Sequence, residues 1–191
     1  MIRGGSSFGT PSVVGNQEIL KQELLALFCS VKCPGNLIIK TYDLAKALRE
    51  NAVPVIGGFH SPMEKECLRI LLGGSQPVVV CPARNLGKMR IAADWKKPVA
   101  EGRLLLVSAF GEKQNRTTAE LAYERNELVA SIAKKVFIAY AAKGSKTEKF
   151  ARDLLARGKP VLTFDSPENA DLLAAGAEAV NIANVFLTKS P

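Results

Sequence analysis

Short apolar, β-branched runs alternate along this chain with longer stretches in which apolar positions recur every three or four residues. The runs predict strands at Ser12–Gly15, Leu37–Lys40, Val53–Gly57, Pro77–Cys81, Leu104–Ser108, Val136–Tyr140, Pro160–Thr163 and Ala179–Ile182. Most lack polar alternation, as expected of strands covered on both faces of a parallel sheet. The spaced stretches predict helices at Gln17–Cys29, Tyr42–Asn51, Pro62–Leu72, Thr117–Lys134, Lys146–Arg157 and Pro167–Ala175. In the helix at Thr117–Lys134, Leu121, Leu128 and Ile132 share one side, so that side should face the sheet. Alternation of this kind implies a three-layer α/β fold: a mostly parallel sheet with helices on both faces.

Punctuation supports these elements. Ser61 with Glu64, and Ser145 with Glu148, have the Ser-x-x-Glu form of a capping box, and Pro62 occupies the first helical position, where its missing N–H costs nothing. Ser166-Pro167 has the same form of start. Gly158 and Gly176 stand just past helix ends, where a left-handed residue is common. Residues 1–11, rich in Gly and Ser, read as a flexible N-terminal segment, and 12–191 as one domain.

The chain has 191 residues, 47% of them hydrophobic, enough for a substantial core. Aromatic content is 6%, spread thinly, which argues against a surface built from stacking platforms for single-stranded bases. A formal charge of +8 favours acidic partners such as nucleotides or nucleic acid. Between Arg84 and Arg103 lie Arg84, Lys88, Arg90, Lys96, Lys97 and Arg103 against Asp94 and Glu101, a stretch read as a basic or merely solvated loop. No apolar run reaches the ~18 residues of a membrane span, and no signal peptide is visible, so a cytoplasmic protein is expected.

Ligands of such sheets bind beyond the carboxyl ends of the strands. The segments placed there are Gly15-Asn16, Gly57-Gly58 with Ser61, Ala83-Arg84-Asn85, Ser108 through Arg116, and Lys143 through Thr147. Glycines at helix starts with free N–H groups favour phosphate or carboxylate. Arg116 and Arg125 could grip phosphate with paired hydrogen bonds or form ordinary surface ion pairs. Acid–base machinery is sparse. His60, alone in a turn, reads as a loop histidine, and Glu64 and Glu148 are explained by capping. The nucleophile-elbow, zinc-protease, Walker and dinucleotide fingerprints are absent. Cys29, Cys33, Cys67 and Cys81 lack zinc-site spacing and read as free, mostly buried thiols. No metal and no cofactor is expected.

Three segments resemble the DprA/Smf DNA-processing family. GGFHSPMEKECL (Gly57–Leu68) stands where that family has Ser-Gly-x-Ala-x-Gly-Ile-Asp, with Met63-Glu64 in place of Ile-Asp. RTTAELAYERNELVASIAKKVFIAY (Arg116–Tyr140) resembles its run in which Arg-Asn precedes a helix and a Val-rich strand. AKGSKTEKFARDLLARGKPVLTF (Ala142–Phe164) is similar to its Ser-Gly-Ser-x-x-Thr-Ala segment and the following strand. Asn169 and LLAAGA (Leu172–Ala177) resemble its closing Asn-x-Leu-Ile-x-x-Gly-Ala. The likeness spans roughly residues 12–179.

The resemblance implies a Rossmann-like fold, single-stranded DNA binding and a homodimer. It also implies that Arg125, Asn126, Gly144, Ser145 and Thr147 line an anion pocket, with Gly57 and Gly58 opposite. Gly57-Gly58 in place of Ser-Gly, Pro62 in place of Gly, and Leu68 in place of His depart from the pattern. The reading is a divergent stand-alone relative for which a recombinase partner does not carry over. The expected activity is binding of nucleic-acid or nucleotide phosphates by Gly57, Gly58, Ser61, Arg84, Ser108, Arg116, Arg125, Asn126, Gly144, Ser145 and Thr147. Lys143–Glu148 also echoes in part the phosphate loop of the LOG nucleotide phosphoribohydrolases. The rival reading is therefore cleavage of a nucleoside monophosphate with Glu148 or Glu120 as the carboxylate; a nucleotide sensor is a third.

Overall fold

The computed structural model describes residues 11–87 and 89–182. The anticipated N-terminal segment before Pro11, and Lys88 of the basic stretch, lie outside the described residues.

Eight strands form one sheet: β1 (Ser12–Val14), β2 (Leu25–Phe28), β3 (Val55–Gly57), β4 (Val78–Val80), β5 (Leu104–Ser108), β6 (Lys135–Ile138), β7 (Val161–Phe164) and β8 (Glu178–Val180). Their order is β1-β5-β4-β3-β2-β6-β7-β8. Only β1 runs antiparallel, on the edge beside β5; every other pairing is parallel. Alternate residues of each central strand feed opposite faces. Leu27, Val55, Val78 and Leu104 meet α1 (Gly35–Glu50) and α2 (Pro62–Leu72), with α3 (Ala93–Ala100) flanking them. Ala26, Ile56, Val79 and Leu105 meet α4 (Ala119–Ile132) and α5 (Lys146–Ala156). A short α6 (Ala170–Ala174) precedes β8. The architecture is the Rossmann-like three-layer α/β fold expected.

The chain winds outward from β2 through β3, β4 and β5. It then crosses through α4 to β6 on the other side of β2. The order of winding therefore reverses between β2 and β6, and a crevice opens at their carboxyl ends.

The sequence reading missed the middle of this sheet. Predicted helix Gln17–Cys29 is a 3-10 turn (Gln17–Lys21) followed by β2, the central strand. Because β2 is covered on both faces, its Leu-Ala-Leu-Phe shows no period of two that would separate it from a buried helix. Predicted strand Leu37–Lys40 lies within α1. Buried Leu37, Thr41, Leu44, Ala45 and Leu48 continue one helical stripe, and Ile39 is exposed. The basic stretch 84–103 is only partly loop, since it contains α3 with Pro98 inside it. Gly15-Asn16 follows an antiparallel strand and so lies at the amino edge, away from the crevice. Ser166 caps nothing and instead donates its hydroxyl to Glu168. Gly158 and Gly176 do adopt positive φ, 72° and 105°.

No helix among the described residues is long and apolar enough to cross a membrane.

Gly15 combines a φ of 114° with a position where a Cβ would lie 2.5 Å from the Leu104 carbonyl oxygen at the start of β5. Gly15→Ala should therefore destabilise the fold by about 1–3 kcal/mol, read as a lower urea midpoint at unchanged slope.

Candidate phosphate-binding site at the switch point

Beyond β2 and β3 the chain builds a small polar crevice from local rules. Ser61 caps α2, its hydroxyl accepting the Glu64 N–H at 3.3 Å. Glu64 reaches back, its Oε2 accepting the N–H groups of His60 (2.8 Å) and Ser61 (3.3 Å). Its Oε1 accepts the Cys29 N–H at 2.9 Å, joining the end of β2 to the start of α2. Phe59 holds a left-handed φ of 46°. This turns its ring against Gly57, where a Cβ would lie 3.1 Å from the ring.

A parallel arrangement starts α5. Ser145 caps the Glu148 N–H at 3.1 Å. Here Glu148 reaches one residue further back than a capping box, and its Oε2 accepts the Gly144 N–H at 2.6 Å. Gly144 supplies the necessary positive φ of 72°. Oε1 of Glu148 accepts from Nε and Nη2 of Arg152. Ser30, just past β2, pins this start across the switch point. Its hydroxyl accepts the Ala142 N–H at 3.0 Å and lies 3.3 Å from the Ser145 hydroxyl.

Internal carboxylates therefore already occupy the anion-seeking amides at both turns. At α5 the Ser145 N–H donates to Ala142 O, so Lys146 and Thr147 hold the first-turn amides with no intramolecular acceptor among the described residues.

Arg125, on α4, is the group left without a carboxylate. It is 5% exposed yet forms no ion pair among the described residues. Its Nη1 donates to Cys81 O at 3.2 Å and its Nε to Asn126 Oδ1 at 2.8 Å. Nη2 has no hydrogen-bond acceptor among the described residues. Burial pulls the guanidinium below its ordinary pKa, and the nearby Glu64 carboxylate opposes that shift. The guanidinium lies flat on Gly58, where a Cβ would fall 1.7 Å from Nη1. No side chain other than hydrogen fits there with Arg125 in place.

These groups face a cavity of about 140 Å³ whose walls include Cys29, Ser61, Arg125, Asn126, Thr147 and Phe150. Of the residues expected from sequence, Ser61, Arg125, Asn126 and Thr147 meet here, with Gly58 directly behind the arginine. Gly57 is buried as a seat for the Phe59 ring. Gly144 and Ser145 shape the turn beside the cavity. Arg84, Ser108 and Arg116 do not reach it. Ser108 is fully buried, donating to Arg84 O at 2.7 Å and accepting from the Phe110 N–H. Arg84 flanks β4, with Nε buried and unpartnered, while Arg116 is exposed on the β5–α4 loop. Cys29 and Phe28, both lining the cavity, escaped notice because β2 itself did.

No group of His, Cys, Asp and Glu suited to a metal ion occurs among the described residues. Burial pushes the thiols of Cys67 and Cys81 up to about 12, so neither is a nucleophile at neutral pH.

Two outcomes follow from this geometry. Gly58→Ala should expel the Arg125 side chain from its slot, abolishing any anion affinity of the cavity while the fold's circular dichroism is retained. For Glu148, the Arg152 guanidinium and then the Gly144 amide hold the carboxyl below the usual range. Its stabilising contribution is thus complete above the unfolded-state value of about 4.3 and is lost as pH falls through the lower folded value. Thermal melts from pH 6 downward should show a fall near those values that is shallower in Glu148→Gln.

No family model and no curated protein matches the chain. Solved structures do share its fold. DNA processing protein A from Streptococcus pneumoniae superposes with a TM-score of 0.77 at 16% identity, over 95% of this chain and 66% of that one. DNA processing protein A from Helicobacter pylori, reported for its single-stranded DNA binding mode, gives 0.76 at 19% identity, over 93% and 85%. The molybdenum cofactor carrier protein of Chlamydomonas reinhardtii is similar at a TM-score of 0.57 and 13% identity, over 87% and 95%. This chain thus spans just under two thirds of the streptococcal protein. The resemblance first carried by three sequence segments extends to the whole sheet: the chain has a DprA-like, Rossmann-like fold.

Proposed function

We propose that this protein binds the phosphate backbone of single-stranded nucleic acid, DNA foremost, in the cavity at the β2–β6 switch point. The observation that carries the reading is Arg125: a buried guanidinium that has, among the described residues, no ion pair and no acceptor for Nη2, in one cavity with Thr147 and Asn126. Removing a cation from water at this cost is reasonable where a ligand supplies the missing charge. The likeness to two DNA processing proteins, one reported for single-stranded DNA binding, supports the same choice of ligand. We extend the proposal to a role in DNA processing or uptake, as a cytoplasmic homodimer, a reading that the likeness motivates.

Hydrolysis of a nucleotide is the weaker reading. It needs a carboxylate free to act at the sugar, whereas both oxygens of Glu148 are engaged by the Gly144 amide and Arg152. Glu120 stands outside the cavity. A free-nucleotide sensor differs in having a nucleotide raise the melting temperature as much as an oligonucleotide does.

Fluorescence anisotropy with labelled single-stranded DNA across a salt series tests the proposal. Affinity should fall log-linearly with salt, and Arg125→Met should weaken it by about tenfold or more and reduce the slope by about 0.7. The same variant should leave the melting temperature unchanged or raise it, since an apolar replacement removes a buried unpaired charge. Binding by Arg125→Met indistinguishable from wild type would overturn the assignment.

A further inference from the structure

Beside the cavity, the same two helices form a second and wider groove. Its volume is about 390 Å³, and its walls are Ala119, Glu120, Tyr123 and Glu124 of α4 with Lys146 and Lys149 of α5. The groove and the cavity are contiguous in the chain: Tyr123 and Glu124 stand between cavity residues Ala122 and Arg125, and Lys146 precedes Thr147.

Tyr123 is one of three large apolar side chains left exposed among the described residues, at 40%. Its ring is nevertheless held in place. It stands edge-on to Phe150 at 6.1 Å, Phe150 stands edge-on to Phe28 at 5.2 Å, and the Tyr123 hydroxyl donates to Asp153 Oδ2 at 3.4 Å. A chain of aromatic contacts thus runs from the cavity wall to the partly exposed ring of Tyr123. Lys146 and Lys149 form no ion pair among the described residues. Glu120 stays ionised, its carboxyl held below the usual range by its own backbone N–H and the Thr118 hydroxyl.

Resting on the reading of the cavity as a phosphate site, we infer that this groove is a nucleobase subsite that stacks a base of the bound strand on Tyr123 and favours bases with an exocyclic amino group over thymine. Stacking accepts any base. The carboxylates of Glu120 and Glu124 add the preference, because they accept hydrogen bonds from the exocyclic amino groups of cytosine, adenine and guanine and repel the O4 acceptor of thymine. Lys146 and Lys149 take the adjoining phosphate. The ligand is then a strand with at least one splayed base, rather than phosphate alone.

Equal-length labelled homopolymers of dC, dA and dT, compared by anisotropy at low salt on the full chain, test this inference. Wild type should bind dC and dA several-fold more tightly than dT. Tyr123→Leu, which keeps apolar packing on Phe150, should weaken all three about tenfold, and Tyr123→Trp should retain wild-type affinity. The double variant Glu120→Gln, Glu124→Gln should erase the preference for dC over dT. Equal affinity for the three homopolymers in wild type, or wild-type binding by Tyr123→Leu, overturns the base subsite. If Arg125→Met still abolishes binding in that case, the phosphate reading stands alone. If no homopolymer binds wild type, both fall.

Discussion

The site depends on one buried carboxylate. Glu64 accepts three backbone N–H groups, from Cys29, His60 and Ser61. It thereby fixes the end of the central strand against the start of α2. Without it, three donors at a nearly closed junction would lack acceptors, each costing about 1–3 kcal/mol. The same carboxylate stands near Arg125 and opposes the desolvation of its guanidinium, yet does not ion-pair with it. A direct ion pair would have closed the site. A more distant carboxylate would have left the buried cation uncompensated.

That arrangement changes what the two helix starts mean. A capped turn with free amides resembles a phosphate cradle in sequence, but here Glu64 and Glu148 are the anions that the turns bind. What remains for an external ligand is the pair of first-turn amides of Lys146 and Thr147 and the side chains of Arg125, Thr147 and Asn126. Gly58 matters for the same reason, as the floor that lets the guanidinium lie flat, rather than as an amide donor.

Much of this was legible in the sequence wherever a local rule leaves a residue signature. Pro62 after Ser61, with Glu64 three positions on, gave α2 its start, and Ser145 did the same for α5. Glycines past helix ends were equally plain at Gly158 and Gly176. The centre was not legible. Leu25–Phe28 is covered on both faces and carries no period, and the Ile38-Ile39 pair disguised the first turns of α1 as a strand. Losing β2 hid Cys29, hence the amide that makes Glu64 a bridge and not merely a cap. Ser108 was misplaced for another reason: position at a strand end does not say whether a hydroxyl faces solvent, and this one is wholly buried on Arg84 O and the Phe110 N–H.

Charge completes the case for the carboxyl edge. At the amino edge, cations have partners nearby: Lys21 with Glu18, Arg49 with Glu50, Lys97 and Arg103 with Glu101, and Lys134 with Glu23. Around the crevice, Lys143 pairs with Asp171 and Arg152 with Glu148, and Lys146 lies near Glu120, but Lys32, Arg84, Arg90, Lys113 and Arg116 have no ion pair among the described residues. Asp94, Glu112 and Glu120 stand nearby, so the imbalance is moderate. Helices on both faces also begin at that edge, and their dipoles add positive potential there. Exposed charges act over a Debye length of about 8 Å at physiological salt. Arg84 and Arg116 line no part of the cavity, so on the proposed reading they act on a polyanion only through that field. On the proposed reading the two sets of basic residues separate physically: a surrounding field that would steer a strand, and one buried guanidinium that would hold its phosphate.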